Sequence, residues 1–311
     1  MTPSPRLGLA AACGLAIVGV GAAALPALAQ QPPPAAARSN WTTPTEPFLI
    51  IDNVYYVGTA GLSSFLFVTP EGDILLDAAL PDAAPQIEAN IKKLGFKLSD
   101  VKILLNSHAH FDHSGGLAQL KKDTGAKLIA SEGDRSALEG GFYLGSETNK
   151  AMSGPPVKVD EAIKDGYKLT LGGFTLTAHL TPGHTRGCTS WGWTAHDGGK
   201  DYSALVFCSA TIAANRLVDP PQYKGIVANY RATFLKASQF KVDVFLAPHA
   251  EFYDLPGKRA KIAAGAPNPF IVPAEFQAFI AKQKADFEVG LKDQETKAAA
   301  KKVAAAAKPA N

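Results

Sequence analysis

Short runs of apolar residues alternate with turn-forming residues after residue 47. The runs are rich in β-branched and aromatic side chains, and Asp, Asn, Gly or Pro stands between them. This pattern is typical of successive strands joined by tight turns. We predict strands over Phe48 to Ile51, Val54 to Gly58, Leu62 to Val68 and Ile74 to Asp77.

The pattern then changes to alternating strands and helices. Ile87, Ile91 and Leu94 recur at helical spacing and predict a helix that ends near Gly95. Further along, we predict strands over residues 101–106 and Lys127 to Ala130, with a helix over Glu132 to Leu138.

The second half of the chain repeats this order. Two hairpins are predicted, each with a Gly-Gly turn, and a helix, a strand and an amphipathic helix follow them. The predicted elements are Tyr167 to Leu171 with Phe174 to Leu180, Cys188 to Ala195 with Tyr202 to Cys208, the helix Tyr223 to Ala237, the strand Val242 to Ala247, and a last helix through Phe276, Phe279, Ile280 and Phe287.

Two β-rich halves with helices outside predict an α/β fold, a four-layer αβ/βα sandwich. We expect residues 48–295 to form one domain. Residues at strand ends of the two halves would then meet between the halves.

Both ends of the chain depart from this pattern. Residues 1–29 predict a secretory signal peptide, in which Arg6 precedes an apolar run and Ala27-Leu28-Ala29 is a small-x-small cleavage site. A retained membrane anchor is the alternative, and the surroundings of Cys13 are atypical of a lipoprotein. Residues 30–47 predict an exposed N-terminal arm rich in Pro and Ala. The Lys/Ala-rich tail, residues 296–311, is expected to be disordered.

The charge balance argues against a nucleic-acid partner. The chain has 31 Lys and Arg against 28 Asp and Glu, a net charge of +3. Arg6 and the four lysines of the tail account for five cations, so the rest of the chain is slightly acidic and predicts no basic surface. We expect a periplasmic monomer that binds a small molecule and has no stable membrane association after signal cleavage.

Residues Gly140 to Pro156 lack periodicity and contain the aromatic residues Phe142 and Tyr143. A loop of this length in a compact domain is often a lid or binding loop. We predict a mobile flap with both aromatic side chains exposed. A passive insertion is the alternative.

The chemistry of the chain is concentrated in His108-Ala109-His110-Phe111-Asp112-His113. Three of the seven histidines and a carboxylate fall within six residues, directly after the predicted strand 101–106. On extended backbone a spacing of two points side chains the same way, so His108, His110 and Asp112 would share a side and His113 could turn to the other. Imidazole and carboxylate groups suit zinc. The alternative is a His-rich surface loop.

Two more histidines, His184 and His249, stand beside Pro at predicted strand ends. The first segment supplies four ligands, and two zinc ions with three protein ligands each need two more. His179 and His196 are then left as structural residues.

These motifs resemble those of the metallo-β-lactamase superfamily. The resemblance rests on the 108–113 segment, on Thr181-Pro182-Gly183-His184 and on Ala247-Pro248-His249, and it covers about residues 48–272. It implies the αβ/βα sandwich and two zinc ions. By this resemblance one zinc is held by His108, His110 and His184, and the other by Asp112, His113 and His249.

The strand before residue 211 separates branches of that superfamily. In glyoxalase II-type thioesterases, lactonases and processing nucleases, a metal-bridging Asp ends it. Here Val206-Phe207-Cys208-Ser209-Ala210-Thr211 has no carboxylate, and Ser209 matches the third subclass of zinc β-lactamases, subclass B3. Other subclasses use a Cys as a ligand of the second zinc, so Cys208 is an alternative ligand. In the third subclass a His at the position of His113 replaces that Cys. The resemblance implies a β-lactam substrate: a penicillin, cephalosporin or carbapenem.

It also implies roles for individual residues. The zinc pair would lower the pKa of a water molecule to about 7 so that it attacks the lactam carbonyl, with Asp112 as the catalytic residue that holds it in line. Ser209 and Thr211 are candidate contacts for the substrate carboxylate and Asn215 for the carbonyl oxygen. Asp77 is a candidate carboxylate that orients a ligand histidine. The alternative for Asp77 is a residue that only begins a turn. For Ser209 and Thr211 the alternative is hydroxyl groups that are hydrogen-bonded at a strand end.

Cys188 and Cys208 are predicted to form a disulfide. Pairing across the Gly198-Gly199 turn brings them opposite one another, and export would supply an oxidising compartment. Two buried free thiols are the alternative.

Two other functions stay open: a dizinc hydrolase of lactones or thioesters, and a periplasmic zinc-binding protein without catalysis.

Overall fold

The computed structural model describes Met1 and residues 40–306. Residues 2–29 of the predicted signal peptide, residues 30–39 of the arm and residues 307–311 of the tail lie outside the described residues. Among the described residues, no helix has the length and apolar character needed to cross a membrane.

A seven-stranded sheet forms the first half, with its strands in chain order. The first four strands pair antiparallel, and the pairs from the fourth to the seventh are parallel. The strands are β1 (Phe48–Ile51), β2 (Val54–Tyr56), β3 (Phe65–Phe67), β4 (Asp73–Leu76), β5 (Val101–Leu105), β6 (Lys127–Ser131) and β7 (Glu161–Ile163).

A five-stranded sheet forms the second half, in the order β12-β11-β10-β9-β8. Its strands are β8 (Lys168–Leu171), β9 (Phe174–Leu180), β10 (Thr189–Asp197), β11 (Lys200–Val206) and β12 (Val244–Leu246). The helices of both halves are α1 (Ala84–Lys93), α2 (Phe111–Ser114), α3 (Leu117–Thr124), α4 (Glu132–Gly140), α5 (Ile226–Ala237), α6 (Leu255–Ala263) and α7 (Glu275–Ala306).

The alternation of side chains along a strand separates two cores. On β3, Phe65 and Phe67 belong to the core between the sheets, where Phe67 meets Trp193 of the other sheet edge to face. Leu66, between them, belongs to a second core with Ile87 of α1 and residues of α3. On the second sheet the aromatic residues of α5 and α7 pack against the inter-sheet core. The predicted αβ/βα sandwich is therefore confirmed.

The structure differs from the prediction at the end of the chain. The expected disordered tail continues α7 as helix to Ala306. Ala, Lys and Glu are strong helix formers, so the helix extends beyond its last buried residue, Leu291, without needing a core to pack on.

Cys188 and Cys208 form a disulfide, with Cα atoms 5.8 Å apart. The hairpin pairs Trp191 with Val206, so a strict continuation would set Cys188 opposite Ser209. The bridge forms because both cysteines lie past the ends of the ladder, where the register no longer applies. It ties the strand that follows the His184 loop to the Cys208–Thr211 segment.

Thiol titration of denatured protein that begins at Gln30, and so lacks Cys13, should find no free thiol without reductant and two after reduction. The bridge closes a short loop, so its loss through Cys188→Ala with Cys208→Ala should lower the free energy of unfolding by about 2–3 kcal/mol. Two reactive thiols before reduction would contradict the pairing.

Candidate metal centre

The six predicted ligands converge between the two sheets in two groups of three. His108, His110 and His184 form the first metal group, and Asp112, His113 and His249 form the second. Within each group the ligand atoms lie within 4.8 Å of one another. The geometry brings together the same two sets of residues that the resemblance groups, and their metal binding stays a prediction.

Backbone contacts across the halves bring these segments together. The Ser107 carbonyl accepts a hydrogen bond from Thr189 N (2.8 Å), and the Pro248 carbonyl accepts one from Ser63 N (2.7 Å). In the His184 loop, Gly183 has φ +143°, and a Cβ there would lie 2.8 Å from the Tyr230 ring. Only glycine fits this close approach.

Neutral oxygens lie beside two of the three rings of the first metal group. The His184 Nδ1 donates to the Thr211 carbonyl at 2.7 Å, and the His108 Nδ1 lies 2.9 Å from Ser107 Oγ. The Nε2 of His108 is buried without a hydrogen-bond partner. A buried, unpaired ring nitrogen facing two other imidazoles is costly unless a metal ion binds there.

A helical turn positions two of the three residues of the second metal group, Asp112 and His113. The Nε2 atoms of His113 and His249 are 3.1 Å apart, and Asp112 Oδ2 lies 3.4 and 3.5 Å from them. The expectation that Asp112 shares a side with His110 is wrong. Helix α2 begins at Phe111, so Asp112 and His113 turn together toward the second group.

Burial and mutual proximity lower the pKa of four of the five imidazoles; burial opposes charge on His113 as well, yet Asp112 beside it raises the pKa of that ring. Burial lowers the pKa of His184 to about 4 and, with the nearby His113, that of His249 to about 3. Burial also opposes charge on Asp112, yet His113 beside it holds its pKa well below the usual range. Neutral imidazoles and an ionised carboxylate are the forms that bind a divalent metal, so these residues fit two metal ions.

Asp77 supports the first ligand segment. Its Oδ1 accepts from Ser107 N (2.7 Å) and Asn106 Nδ2 (3.0 Å), while its Oδ2 and the Nδ1 of His113 are both buried and unpaired. Burial raises the pKa of Asp77 to about 6, and the charge of His113 opposes that rise. Asp77 hydrogen-bonds the residues before His108 and interacts electrostatically with His113, and its role in orienting a ligand histidine stays a prediction.

Asp134 is a functional residue that the sequence reasoning missed. Its fully buried carboxylate accepts from Ala109 N (3.0 Å), Thr185 Oγ1 (2.7 Å) and Gly187 N (2.8 Å). It therefore joins the His108–His110 segment to the His184 loop. No sequence signal identified it, because an Asp in a helix that follows a strand has many uses.

The three predicted substrate contacts lie in different surroundings. Thr211 lines the pocket beside the metal groups, and Ser209 is buried behind it, with its Oγ 3.3 Å from Thr211 Oγ1. Asn215 is 1% exposed and its amide is fully engaged: it donates to the His184 carbonyl (2.8 Å) and accepts from Tyr143 Oη (2.9 Å). The prediction that Asn215 contacts substrate is corrected, because it holds the His184 loop instead.

The loop Gly140–Pro156 lies beside the site but is held in place. Tyr143, predicted to be exposed, is 3% exposed, and its ring stacks on His110 with centroids 4.3 Å apart. Arg216 donates to the Gly145 carbonyl, and Gln222 donates to the Leu144 carbonyl. These contacts replace the expected free flap with a wall that supports a metal ligand.

Tyr143→Phe should lower stability by about 1–3 kcal/mol, because it leaves the buried Asn215 Oδ1 without its donor. Tyr143→Ala should lower kcat as well as stability, because it also removes the ring that supports His110. Thermal unfolding and steady-state kinetics measure both effects. Tyr202→Phe on β11 is the matched control, and equal kinetics for Tyr143→Ala and that control would contradict a supporting role.

A pocket of about 360 Å³ opens over both metal groups. Its walls are mainly apolar and aromatic, and within the described chain Asp112 and Glu251 are its only carboxylates, with no Lys or Arg among the lining residues. The lining side chains outside the metal groups include Trp41, Phe111, Met152, Phe252 and Glu251. The arrangement suits a small organic substrate presented to two metal ions.

A family model and solved structures both match this chain to one superfamily. Residues 58–192 match the family described as the metallo-beta-lactamase superfamily. BJP-1, a subclass B3 metallo-beta-lactamase of Bradyrhizobium japonicum, is 52% identical, with a TM-score of 0.82, and the match covers 84% of this chain and 98% of that one. FEZ-1 from Legionella gormanii is 42% identical, with a TM-score of 0.79, over 82% of this chain and 98% of that one.

Curated relatives match over a shorter region. Hydroxyacylglutathione hydrolase of Methylococcus capsulatus is 32% identical over 132 residues, which is 42% of this chain and 40% of that protein. The chain thus spans less than half the length of that relative. The two solved structures, in contrast, match over 98% of their own length. The chain therefore belongs to the metallo-beta-lactamase superfamily, and the solved structures similar to it include subclass B3 members.

Proposed function

We propose that this chain is a dizinc β-lactamase that hydrolyses the lactam amide of penicillins, cephalosporins and carbapenems. The observation that carries the proposal is the Cys208–Thr211 segment at the site. It offers no carboxylate to bridge two metals, and Cys208 is unavailable as a ligand because it is bonded to Cys188. The ligand set is then the two groups of three, with Asp112 as its single carboxylate.

Two bound zinc ions would supply Lewis acidity at the lactam carbonyl and an acidified water molecule as the nucleophile. His108, His110 and His184 would hold one ion, and Asp112, His113 and His249 the other. Asp112 is ionised, so the carboxylate oxygen that does not bind the metal ion can accept a hydrogen bond from the attacking water and keep it in line with the carbonyl carbon. The same oxygen can hold the proton that the departing lactam nitrogen requires.

The pocket walls would position the substrate. Thr211 Oγ1 can donate to the substrate carboxylate, and the apolar side chains Trp41, Met152 and Phe252 can cover its rings. The described lining residues include no Lys or Arg, so the metal ions would be the main attraction for an anionic substrate.

The curated relatives favour a second candidate, a thioesterase that hydrolyses hydroxyacylglutathione. It would use the same metal groups on a thioester carbonyl. The missing bridging carboxylate counts against it, since the superfamily's thioesterases carry one after the strand that corresponds to β11.

A comparison of kcat/KM for a carbapenem, a penicillin, a homoserine lactone and a glutathione thioester tests the proposal. We expect the two β-lactams to be hydrolysed and the lactone and thioester to be poor substrates. A thioester with the highest kcat/KM would replace the proposal with the second candidate.

We propose further that the protein is exported and acts in the periplasm as a monomer. The signal-like residues 1–29 and the disulfide support export to the periplasm, because disulfides persist in oxidising compartments.

A further inference from the structure

The histidines of the two metal groups differ in what their second ring nitrogen faces. In the first group, His184 and His108 have neutral oxygens at Nδ1. In the second group, the Nδ1 atoms of His113 and His249 are buried and have no hydrogen-bond partner. A metal-binding histidine nearly always donates from its other nitrogen, so both atoms call for an acceptor.

Glu251 is the acceptor within reach of His249. Its Oε1 lies 3.7 Å from His249 Nδ1, and its side chain is 57% exposed and so free to rotate. A charge-assisted hydrogen bond spans about 2.7–2.9 Å, so a movement of about 1 Å closes the gap.

The packing around His249 fixes which edge of the ring Glu251 meets. Trp41 and Phe252 contact the ring, with centroids 5.4 and 5.1 Å away. Nε2 faces Asp112 and His113. Glu251 faces Nδ1, the nitrogen not directed at the metal group, so its carboxylate acts on the ligand and not on the metal ion.

We propose that Glu251 is a positioning residue for the second metal group. Its carboxylate accepts the Nδ1 proton of His249, fixes the tautomer that leaves Nε2 free for a metal ion, and makes that nitrogen a stronger ligand. As a consequence, Glu251 strengthens binding of the ion in the second metal group and not of the ion in the first. The proposal rests on the metal-group assignment and not on the identity of the substrate.

The test is a zinc titration of the metal-free protein in competition with a chromophoric chelator, which yields two dissociation constants. Glu251→Ala should raise one of them by about 10–100-fold and leave the other unchanged. Glu251→Gln keeps an acceptor oxygen without the charge, so its effect should be smaller than that of Glu251→Ala. Glu71→Gln, in the exposed turn between β3 and β4 at the opposite ends of the strands, is the matched control and should change neither constant.

Two results would overturn the proposal. One is a Glu251→Ala protein with both dissociation constants equal to wild type. The other is an equal rise in both constants together with a lower melting temperature of the metal-free protein, which would indicate a general structural role. Because no substrate enters this assay, a protein that binds zinc as expected but spares β-lactams would refute only the proposed function.

Discussion

His108→Ala is expected to lower kcat/KM for a carbapenem by about 10³-fold or more, equivalent to about 4 kcal/mol of transition-state stabilisation. His108 is 1% exposed, and its Nε2 is buried with no hydrogen-bond partner among the described residues. The substitution removes one of three ligands and leaves the Lewis acid misplaced or absent.

Steady-state kinetics with metal analysis of the same samples measures this effect. His179→Ala is the matched control, because His179 lies on β9, packs on Phe240 and belongs to neither metal group. A His108→Ala protein that retains full activity with its metal content confirmed would refute the site assignment.

Asp112→Asn carries the second large effect. The amide keeps the size of the side chain but loses the charge that His113 and His249 surround, and it can no longer accept a proton. Loss of a positioned proton acceptor typically costs about 10²–10⁴-fold, so we expect kcat to fall within that range.

The measurement is kcat at saturating zinc, which separates lost catalysis from weak metal binding. Asp201→Asn is the control, since Asp201 is an exposed partner of His196 on the far hairpin. Unchanged kcat in Asp112→Asn with two zinc ions bound would show that this carboxylate has no part in the chemistry.

The ligand set could be predicted from the sequence because its signal is local. Four ligands fall in one six-residue segment, and the other two stand beside Pro at strand ends. Most strands could be predicted for the same reason, since each is a short apolar run between turn residues. The three-residue strand β7 and helix α6 were missed. In α6, Pro256 and Gly257 look like helix breakers, but Pro stands in the first turn and Asp254 accepts from Gly257 N.

The supporting residues could not be predicted, because their partners are distant in the chain. Asp134 contacts segments 25 and 53 residues away, and Tyr143 reaches Asn215 across 72 residues. The contacts of Asp134 with Gly187 and of Tyr143 with Asn215 exist only after the two halves have packed. At Asn215 the sequence predicted a functional contact that the structure does not show. A polar residue after a strand suggested a substrate contact, but the side chain is buried and its amide points into the protein.

Under the proposed function, two zinc ions held by these six residues hydrolyse a β-lactam. The most direct measurement is carbapenem hydrolysis by the purified metal-free protein during stepwise addition of zinc. We predict no hydrolysis without zinc, a rise that saturates at about two equivalents per chain, and loss of activity when a chelator is added. Hydrolysis that persists in the chelator, or no hydrolysis at any zinc concentration, would contradict the proposed function.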